Sequence, residues 1–405
     1  MKLAIVTAYP PSKVTLNEYA YHLVKHFRQN KNITELILLT DVAGEKADIN
    51  FEEDGCKIIV KHCWNFNSYM NIFSVMKAVK TVQPDAILFN LQFMKFGDKK
   101  IPAALGLLLP KLCTLKKIPT IALLHNILEQ VDLESAGFTK NKLTQKVYNF
   151  IGTTLTRFIL SADTVAVTIS KYVEILEEKY NADNVTLIPH GTFEIPEEPT
   201  YTIPKGPVKV MTFGKFGTYK KVEVMIEAVE MVRSRTDADL EIVIAGTDNP
   251  NVSGYLASVQ EKYATVPQLT FTGYVAEEDV PVIFGESAMV VFPYTSTTGS
   301  SGVLHQAGSY GKAVIMPDLG DLSILVKEEG YRGEFFTPED VTSLADAIEK
   351  LTIDTTYRTQ LGRQNYEAAT ALPMSKIAEM YLNNFKAIKN KKSTKSQKTI
   401  HSTSI

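Results

Sequence analysis

The sequence is short of every residue that would staple, thread or strongly charge it. Three cysteines, Cys56, Cys63 and Cys113, stand in 405 residues. They are too few and too unevenly spaced for a disulfide framework or a CxxC pair, so free thiols in a reducing compartment are expected. The longest apolar run, Ile101–Leu109, stops at Pro110, far below the ~20 residues that span a bilayer. Neither sign of charge dominates: 43 basic and 45 acidic residues leave a net charge of −2, which argues against a general nucleic-acid binder. The first strand-like run ends at Pro10-Pro11 without a small-residue cleavage site, so a buried strand is expected there and not a signal peptide. A cytoplasmic protein is expected, at most peripheral at the inner face of the plasma membrane. The two glycine signatures of dinucleotide and Walker-type phosphate binding are also missing.

What is present is ordinary globular composition, 45% hydrophobic and 22% charged, and a strong alternation. Short, nearly all-apolar runs recur at Leu3–Thr7, Leu36–Leu39, Ile58–Val60, Ala86–Phe89, Thr120–Leu124, Thr164–Val167 and Thr186–Ile188. They resume at Val208–Phe213, Leu240–Ala245, Leu269–Thr272, Met289–Phe292 and Ala313–Met316. Runs apolar throughout belong to strands buried on both faces of a parallel sheet. Helical stretches lie between them, among them Leu16–Asn30, Ser68–Val82, Lys220–Ser234 and Thr342–Leu351. Thr337-Pro338-Glu339-Asp340 predicts a helix start with Thr337 as N-cap and Pro338 at N1.

The alternation restarts once. Four prolines, Pro196, Pro199, Pro204 and Pro207, crowd a segment without apolar period, which predicts a linker. The expected fold class is therefore α/β with two Rossmann-like doubly wound domains, 1–193 and 206–370, facing across a cleft. An apolar stripe after Pro373 predicts a helix over 373–390 that docks back on the first domain. The remaining 391–405 are basic, and a disordered tail is expected there, or a weak contact with an anionic surface.

Ligands of such sheets bind at the carboxyl ends of the strands. Four segments after predicted strands carry suitable chemistry. His125 follows Thr120–Leu124 and suits hydrogen bonding or proton transfer, or is a satisfied structural histidine. Gly214-Lys215 with Lys220 follows Val208–Phe213; two cations at a helix start suit a diphosphate, or are a solvated loop. Thr295 to Val303 is built of Thr, Ser and Gly and leads into an apolar helix, so backbone N–H groups and hydroxyls of Thr298, Gly299, Ser300, Ser301, Gly302 and Val303 suit a phosphate. By contrast, Asp237-Ala238-Asp239 precedes its strand and lies at the wrong edge for a D-x-D metal site; no other cluster has metal spacing, so no metal is expected. Lys140, Lys142, Lys146 and Arg157 flank an apolar helical pattern that suits either solvent or an anionic membrane.

Taken in order, Phe213-Gly214-Lys215 with Lys220, Val243-Ile244-Ala245-Gly246, Phe271-Thr272-Gly273-Tyr274-Val275, Val291-Phe292-Pro293 and Gly302 to Ile315 resemble the family 4 retaining glycosyltransferases of the GT-B fold. The Gly-Ser-Ser-Gly-Val-Leu-His-Gln-Ala form is similar to variants among bacterial exopolysaccharide glycosyltransferases. The resemblance implies a nucleotide-diphosphate sugar donor, with UDP-glucose expected. It implies a saccharide or lipid-linked acceptor and no cofactor or metal. Lys215 and Lys220 would hold the diphosphate, Tyr274 and Val275 the base, and His125 the sugar. Gly214, Gly246 and the first-loop Thr15 would line the donor. Two departures stand out. The family's E-x7-E carboxylates are replaced by Thr298 and Gln306, which hydrogen-bond but cannot serve as acid or base. Its first-loop Gly-Gly is replaced by Val14-Thr15. A sugar-nucleotide-binding protein without transfer activity and a sugar-nucleotide epimerase are the alternative readings.

Overall fold

The computed structural model describes residues 1–12, 14–42, 49–127, 142–202, 204–249, 252–296 and 300–402. The chain divides into two compact units: unit 1 is Met1–His190 with Met374–Ile405, and unit 2 is Gly191–Pro373.

Unit 1 is built on eight strands: β1 (Lys2–Val6), β2 (Glu35–Asp41), β3 (Ile49–Glu53), β4 (Cys56–Trp64), β5 (Ala86–Leu91), β6 (Thr120–Leu124), β7 (Thr164–Val167) and β8 (Val185–Leu187). Their order in the sheet is β3-β4-β2-β1-β5-β6-β7-β8. All neighbours are parallel except β3 with β4. Unit 2 holds β9 (Val208–Phe216), β10 (Leu240–Asp248), β11 (Leu269–Gly273), β12 (Met289–Val291), β13 (Ala313–Pro317) and β14 (Gly333–Phe336), in the order β11-β10-β9-β12-β13-β14 and parallel throughout.

The helices that matter for the site are α1 (Asn17–Arg28), α2 (Asn71–Val82), α3 (Lys100–Leu107), α4 (Leu109–Leu115), α5 (Lys142–Ile159), α6 (Ser170–Tyr180), α7 (Glu223–Arg235), α8 (Tyr255–Lys262), α9 (Val280–Glu286), α10 (Gly302–Ser309), α11 (Gly320–Glu328), α12 (Val341–Ile353), α13 (Thr355–Ala371) and α14 (Met374–Ser402). In α7, Met225, Ile226, Val229 and Val232 recur every three to four residues and are buried in the unit 2 core with Leu344, Ile348 and Leu351 of α12. The predicted stripe of α14 behaves likewise. Met374, Ile377, Ala378, Tyr381, Leu382 and Phe385 are buried, and the helix packs on α1, where the Tyr381 and Tyr19 hydroxyls lie 3.3 Å apart. Each large apolar side chain so buried contributes about 1.5–3 kcal/mol.

Four expectations are corrected. β3 is absent from the apolar runs because all five of its residues are exposed; it is an antiparallel edge strand joined to β4 by Asp54-Gly55, both at positive φ, a hairpin signature in the sequence. Thr337 is not the N-cap of α12. Glu339 takes φ 62°, which stops the helix there, and Asp340 caps it by accepting from the Ser343 N–H at 3.0 Å. The proline-rich segment lies along unit 2: Tyr366 donates to the Pro196 carbonyl at 2.9 Å, and the Arg363 guanidinium sits 5.1 Å from the Tyr201 ring centre. Finally, α14 runs through Ser402, well past residue 390, with Lys392 on Asp163 at 2.7 Å.

Candidate functional site

In unit 2 the residues singled out from the sequence fall at one edge. The carboxyl ends of the adjacent strands β11, β10, β9 and β12 carry Tyr274 and Val275, Gly246, Gly214 with Lys215, and the Thr/Ser/Gly segment respectively. Gly214 and Gly246 are register partners on β9 and β10. Both take positive φ, 134° and 139°. A Cβ on Gly246 would stand 1.9 Å from the Gly214 carbonyl oxygen, and one on Gly214 would stand 2.7 Å from the Lys220 amine. Glycine is therefore required at Gly246 by close backbone approach and at Gly214 by its positive φ, and the space above Gly214 is filled by the Lys220 side chain.

β9 continues to Phe216, three residues beyond the predicted strand, so Lys215 is on the strand and exposed. The chain then turns, with the Gly217 N–H donating to the Lys220 carbonyl at 3.0 Å. Lys220 pairs with Tyr294 in an isolated antiparallel bridge. The Thr295 N–H donates to the Tyr219 carbonyl at 2.8 Å, and the Lys221 N–H to the Pro293 carbonyl at 2.9 Å. The lysine loop and the hydroxyl-rich loop after β12, sixty or more residues apart in sequence, are thus one structure. Tyr219 and Tyr294, which carried no sequence signal, form its box: their rings meet edge-on at 5.4 Å, and the Lys220 amine lies 4.8 Å from the Tyr294 centroid. Burial pulls Lys220 below the ordinary lysine range, while Tyr219 acts in the opposite sense. Among the described residues no carboxylate is set against the Lys220 amine. A buried cation without a counter-ion favours an anionic ligand, which would restore its charge.

A second set of donors of the kind that suits an anion lies on α10. Ser301 is its N-cap, and the N–H groups of Gly302 and Val303 belong to the first turn, which has no intrahelical acceptor for them. The positive end of the helix is there. Ser300 and Ser301 are half-buried beside it, as is Gln306 one turn on. Thr298 and Gly299 lie outside the described residues. Tyr274 is 81% exposed, a flat surface available to a base, with Val275 half-buried next to it. The Gly246 N–H donates to Thr272 Oγ1 at 3.2 Å, tying β10 to the β11 end that presents them. Asp237 and Asp239 are at the opposite edge: the Asp239 carbonyl accepts from the Val208 N–H at 2.8 Å, where β9 begins, and its carboxylate from Gln268 at 2.8 Å. No group of three or more His, Cys, Asp or Glu among the described residues is arranged to hold a metal ion.

In unit 1, His125 caps β6 and is fixed by a residue the sequence gave no reason to choose. Asn90, the buried penultimate residue of β5, donates from Nδ2 to Thr7 Oγ1 at 3.0 Å and to the Leu16 carbonyl at 3.3 Å. Its Oδ1 therefore faces His125 Nε2 at 2.8 Å. That assigns the proton to Nε2 and leaves Nδ1 as an acceptor. The Tyr19 ring meets the imidazole edge-on at 4.6 Å. Burial first, then His190 and Lys95, hold His125 well below the usual histidine range. It is a neutral hydrogen-bonding imidazole near pH 7, not a proton donor.

Thr15, in the loop after β1, accepts at its hydroxyl from Gln92 and at its carbonyl from the Lys95 amine at 2.8 Å. Lys95 is fully buried, and burial pulls it down to about 7, with Asp41 opposing. The stretch from Asn90 to Lys95 thus clamps the loop that carries Thr15. No helix of the described residues is long and apolar enough to cross a membrane.

Residues 207–354 match the family of glycosyl transferases group 1. No curated protein matches the sequence. Among solved structures, HepE of Anabaena in complex with UDP superposes with TM-score 0.68 at 16% identity, covering 96% of this chain and 100% of that one; HepE has also been solved with UDP-glucose. Sucrose-phosphate synthase of Thermosynechococcus elongatus gives 0.69 at 16%, covering 95% and 99%. A glycosyltransferase of Rickettsia africae gives 0.65 at 14%, covering 96% and 98%. At these identities the likeness establishes the fold: two Rossmann-like units of the GT-B class, the second of which matches the group 1 glycosyltransferases over most of its length.

Proposed function

We propose that the protein is a retaining glycosyltransferase that moves a hexose, glucose, from a UDP-sugar to a saccharide or lipid-linked acceptor in polysaccharide biosynthesis. The observation that carries this reading is the bridge between Lys220 and Tyr294. It fixes the buried Lys220 cation, which has no carboxylate against it among the described residues, to the segment that leads from β12 towards α10. Charge developing on a departing diphosphate would be met by Lys215, Lys220 and the N–H groups of Gly302 and Val303, donors already fixed in place. This set replaces a divalent cation in neutralising the leaving group. Tyr274 and Val275 take the base, and His125, through Nδ1, accepts from a sugar hydroxyl. No carboxylate nucleophile is assigned; the acceptor attacks from the side the diphosphate leaves. The reading places the protein in the cytoplasm, at most peripheral to the inner face of the plasma membrane.

The test is thermal stabilisation by UDP, GDP, ADP and NAD, on wild type and on Lys215→Ala/Lys220→Ala. Ligand at about 100 times its dissociation constant adds about 2.7 kcal/mol. UDP alone is expected to raise Tm, and the double variant is expected to lose the rise. A rise with NAD, or with no nucleotide, ends the proposal. Thr298 and Gln306, standing where the resembled family has carboxylates, favour a second reading: a sugar-nucleotide-binding protein without transfer. UDP release from UDP-glucose separates the two.

A further inference from the structure

Beneath α10, unit 2 buries an ionisable cluster that stands apart from the diphosphate donors. α10 carries a single titratable side chain, His305. That side chain is 2% exposed, and its Nε2 lies 3.4 Å from Oε2 of Glu329, whose side chain is 6% exposed. Its Nδ1 lies 3.0 Å from the Tyr331 hydroxyl. The Tyr331 ring also fills the space at Gly308, three residues on and on the same face of the helix, where an added Cβ would stand 2.6 Å from Cε1. Asn365 of α13 closes the cluster. The same Cβ would stand 2.8 Å from its carbonyl oxygen. Its side chain accepts from the Arg332 N–H at 2.7 Å and donates to the Lys312 carbonyl at 2.8 Å. α10 is thus pinned from below through His305 and Gly308.

Glu329 stands where a carboxylate is disfavoured on several counts. Neither of its carboxyl oxygens has a hydrogen-bond partner among the described residues. It is the C-cap of α11, at the negative end of that helix. Burial first, then Glu328, push it up to about 8. The other charged groups of the surrounding elements are directed elsewhere. Asp321 lies in the first turn of α11, at its far end. The Arg332 guanidinium donates to the Tyr331 carbonyl at 2.9 Å. From α13, Arg358 donates to the Leu351 carbonyl at 2.7 Å, and Arg363 sits over the Tyr201 ring. Near pH 7 the Glu329–His305 pair therefore holds one dissociable proton. Its loss leaves a net negative charge under the helix whose amino end offers N–H groups to an anion, and an ionised carboxyl without donors pulls on the imidazole that pins that helix.

We propose that Glu329 and His305 are positioning residues for the amino end of α10, and that loss of the proton they hold between them weakens anion binding there. The inference rests on the donor-site reading and adds to it a pair that tunes the site without touching the ligand.

The test compares the full-length wild type with Glu329→Gln, which keeps the shape and cannot ionise, in two measurements. The first is Tm without ligand. Glu329 is raised on folding from 4.5 to about 8, so between those values the unfolded chain gives up its proton first and stability falls as pH rises. Glu329→Gln lacks this component and is expected to gain on wild type by roughly 2 °C or more from pH 5 to pH 8. The second is UDP affinity by calorimetry. UDP and Lys220 change charge alike in both proteins, so only the ratio of affinities is read. It is expected to lie within about twofold of unity at pH 6.5 and to favour Glu329→Gln by about threefold or more at pH 9. Glu329→Asp keeps the acid, and its affinity is expected to fall with pH as that of wild type does. Tm profiles that run parallel overturn the proposal, as does an affinity ratio equal at the two pH values, or a Glu329→Asp profile that follows Glu329→Gln. If wild type binds UDP and the ratio is flat, this proposal fails by itself. If wild type binds no UDP, the donor-site reading fails and takes this proposal with it.

Discussion

The two units share an architecture and differ in what their carboxyl edges are made of. Unit 2 closes its edge tightly: two glycines in register, a lysine buried over one of them, and two loops zipped by the Lys220–Tyr294 bridge. Unit 1 holds a neutral imidazole in an amide network and then spreads into exposed apolar loops. Of the sixteen exposed large apolar side chains among the described residues, twelve lie in unit 1 and four in unit 2. Parallel strands supply the platform in both; the connections decide which side chains it presents.

The contrast can be broken at its tightest point. Gly246→Ala puts a methyl group 1.9 Å from the Gly214 carbonyl at a φ of 139°. A loss of roughly 3 kcal/mol of unfolding free energy is expected by urea titration, together with loss of UDP binding. A variant as stable as wild type would show that the two strands are not held at that spacing.

In unit 1 the matching experiment is Asn90→Asp. A carboxylate beside Nε2 favours the imidazolium and is expected to bring His125 up into or above the ordinary histidine range, read by NMR titration of its ring protons. The sign for stability follows. In wild type His125 is depressed on folding, so acidification through the unfolded value near 6.5 charges the unfolded state first, and stability falls as pH drops. The aspartate variant is expected to lose or invert that slope. An unmoved His125 would mean that Asn90 does not set its tautomer. The smallest effect is expected at Tyr274→Ala. Its side chain is 81% exposed, so stability should change by less than about 0.5 kcal/mol, while UDP affinity falls about fivefold or less through loss of a face for the base.

Much of this was legible before any coordinates. Buried strands such as Thr120–Leu124 and Thr164–Val167 announce themselves because both faces are apolar, and the strand ends then mark where chemistry can sit. Asp54-Gly55 could have revealed β3, but an edge strand of exposed residues has no apolar run to read. Asn90 and Lys95 were invisible for a different reason: a polar residue inside an apolar run declares nothing until its partners, Leu16 and Thr15, are brought from more than seventy positions away. The same holds for Tyr294, whose neighbour Lys220 lies three strands earlier in the chain.

The sequence alone determined the α/β alternation, the restart at the second unit, the apolar stripe of α14 and the segments bearing His125, Lys215, Lys220 and Ser300 to Val303. These are local patterns, set by the period of burial and by which residue types can face a ligand. Only the tertiary structure decided that Lys220 fills the gap over Gly214 and that Asn90 fixes the proton of His125. Each of those depends on which strand ends are neighbours, and sheet order is a property of the folded chain and not of any stretch of it.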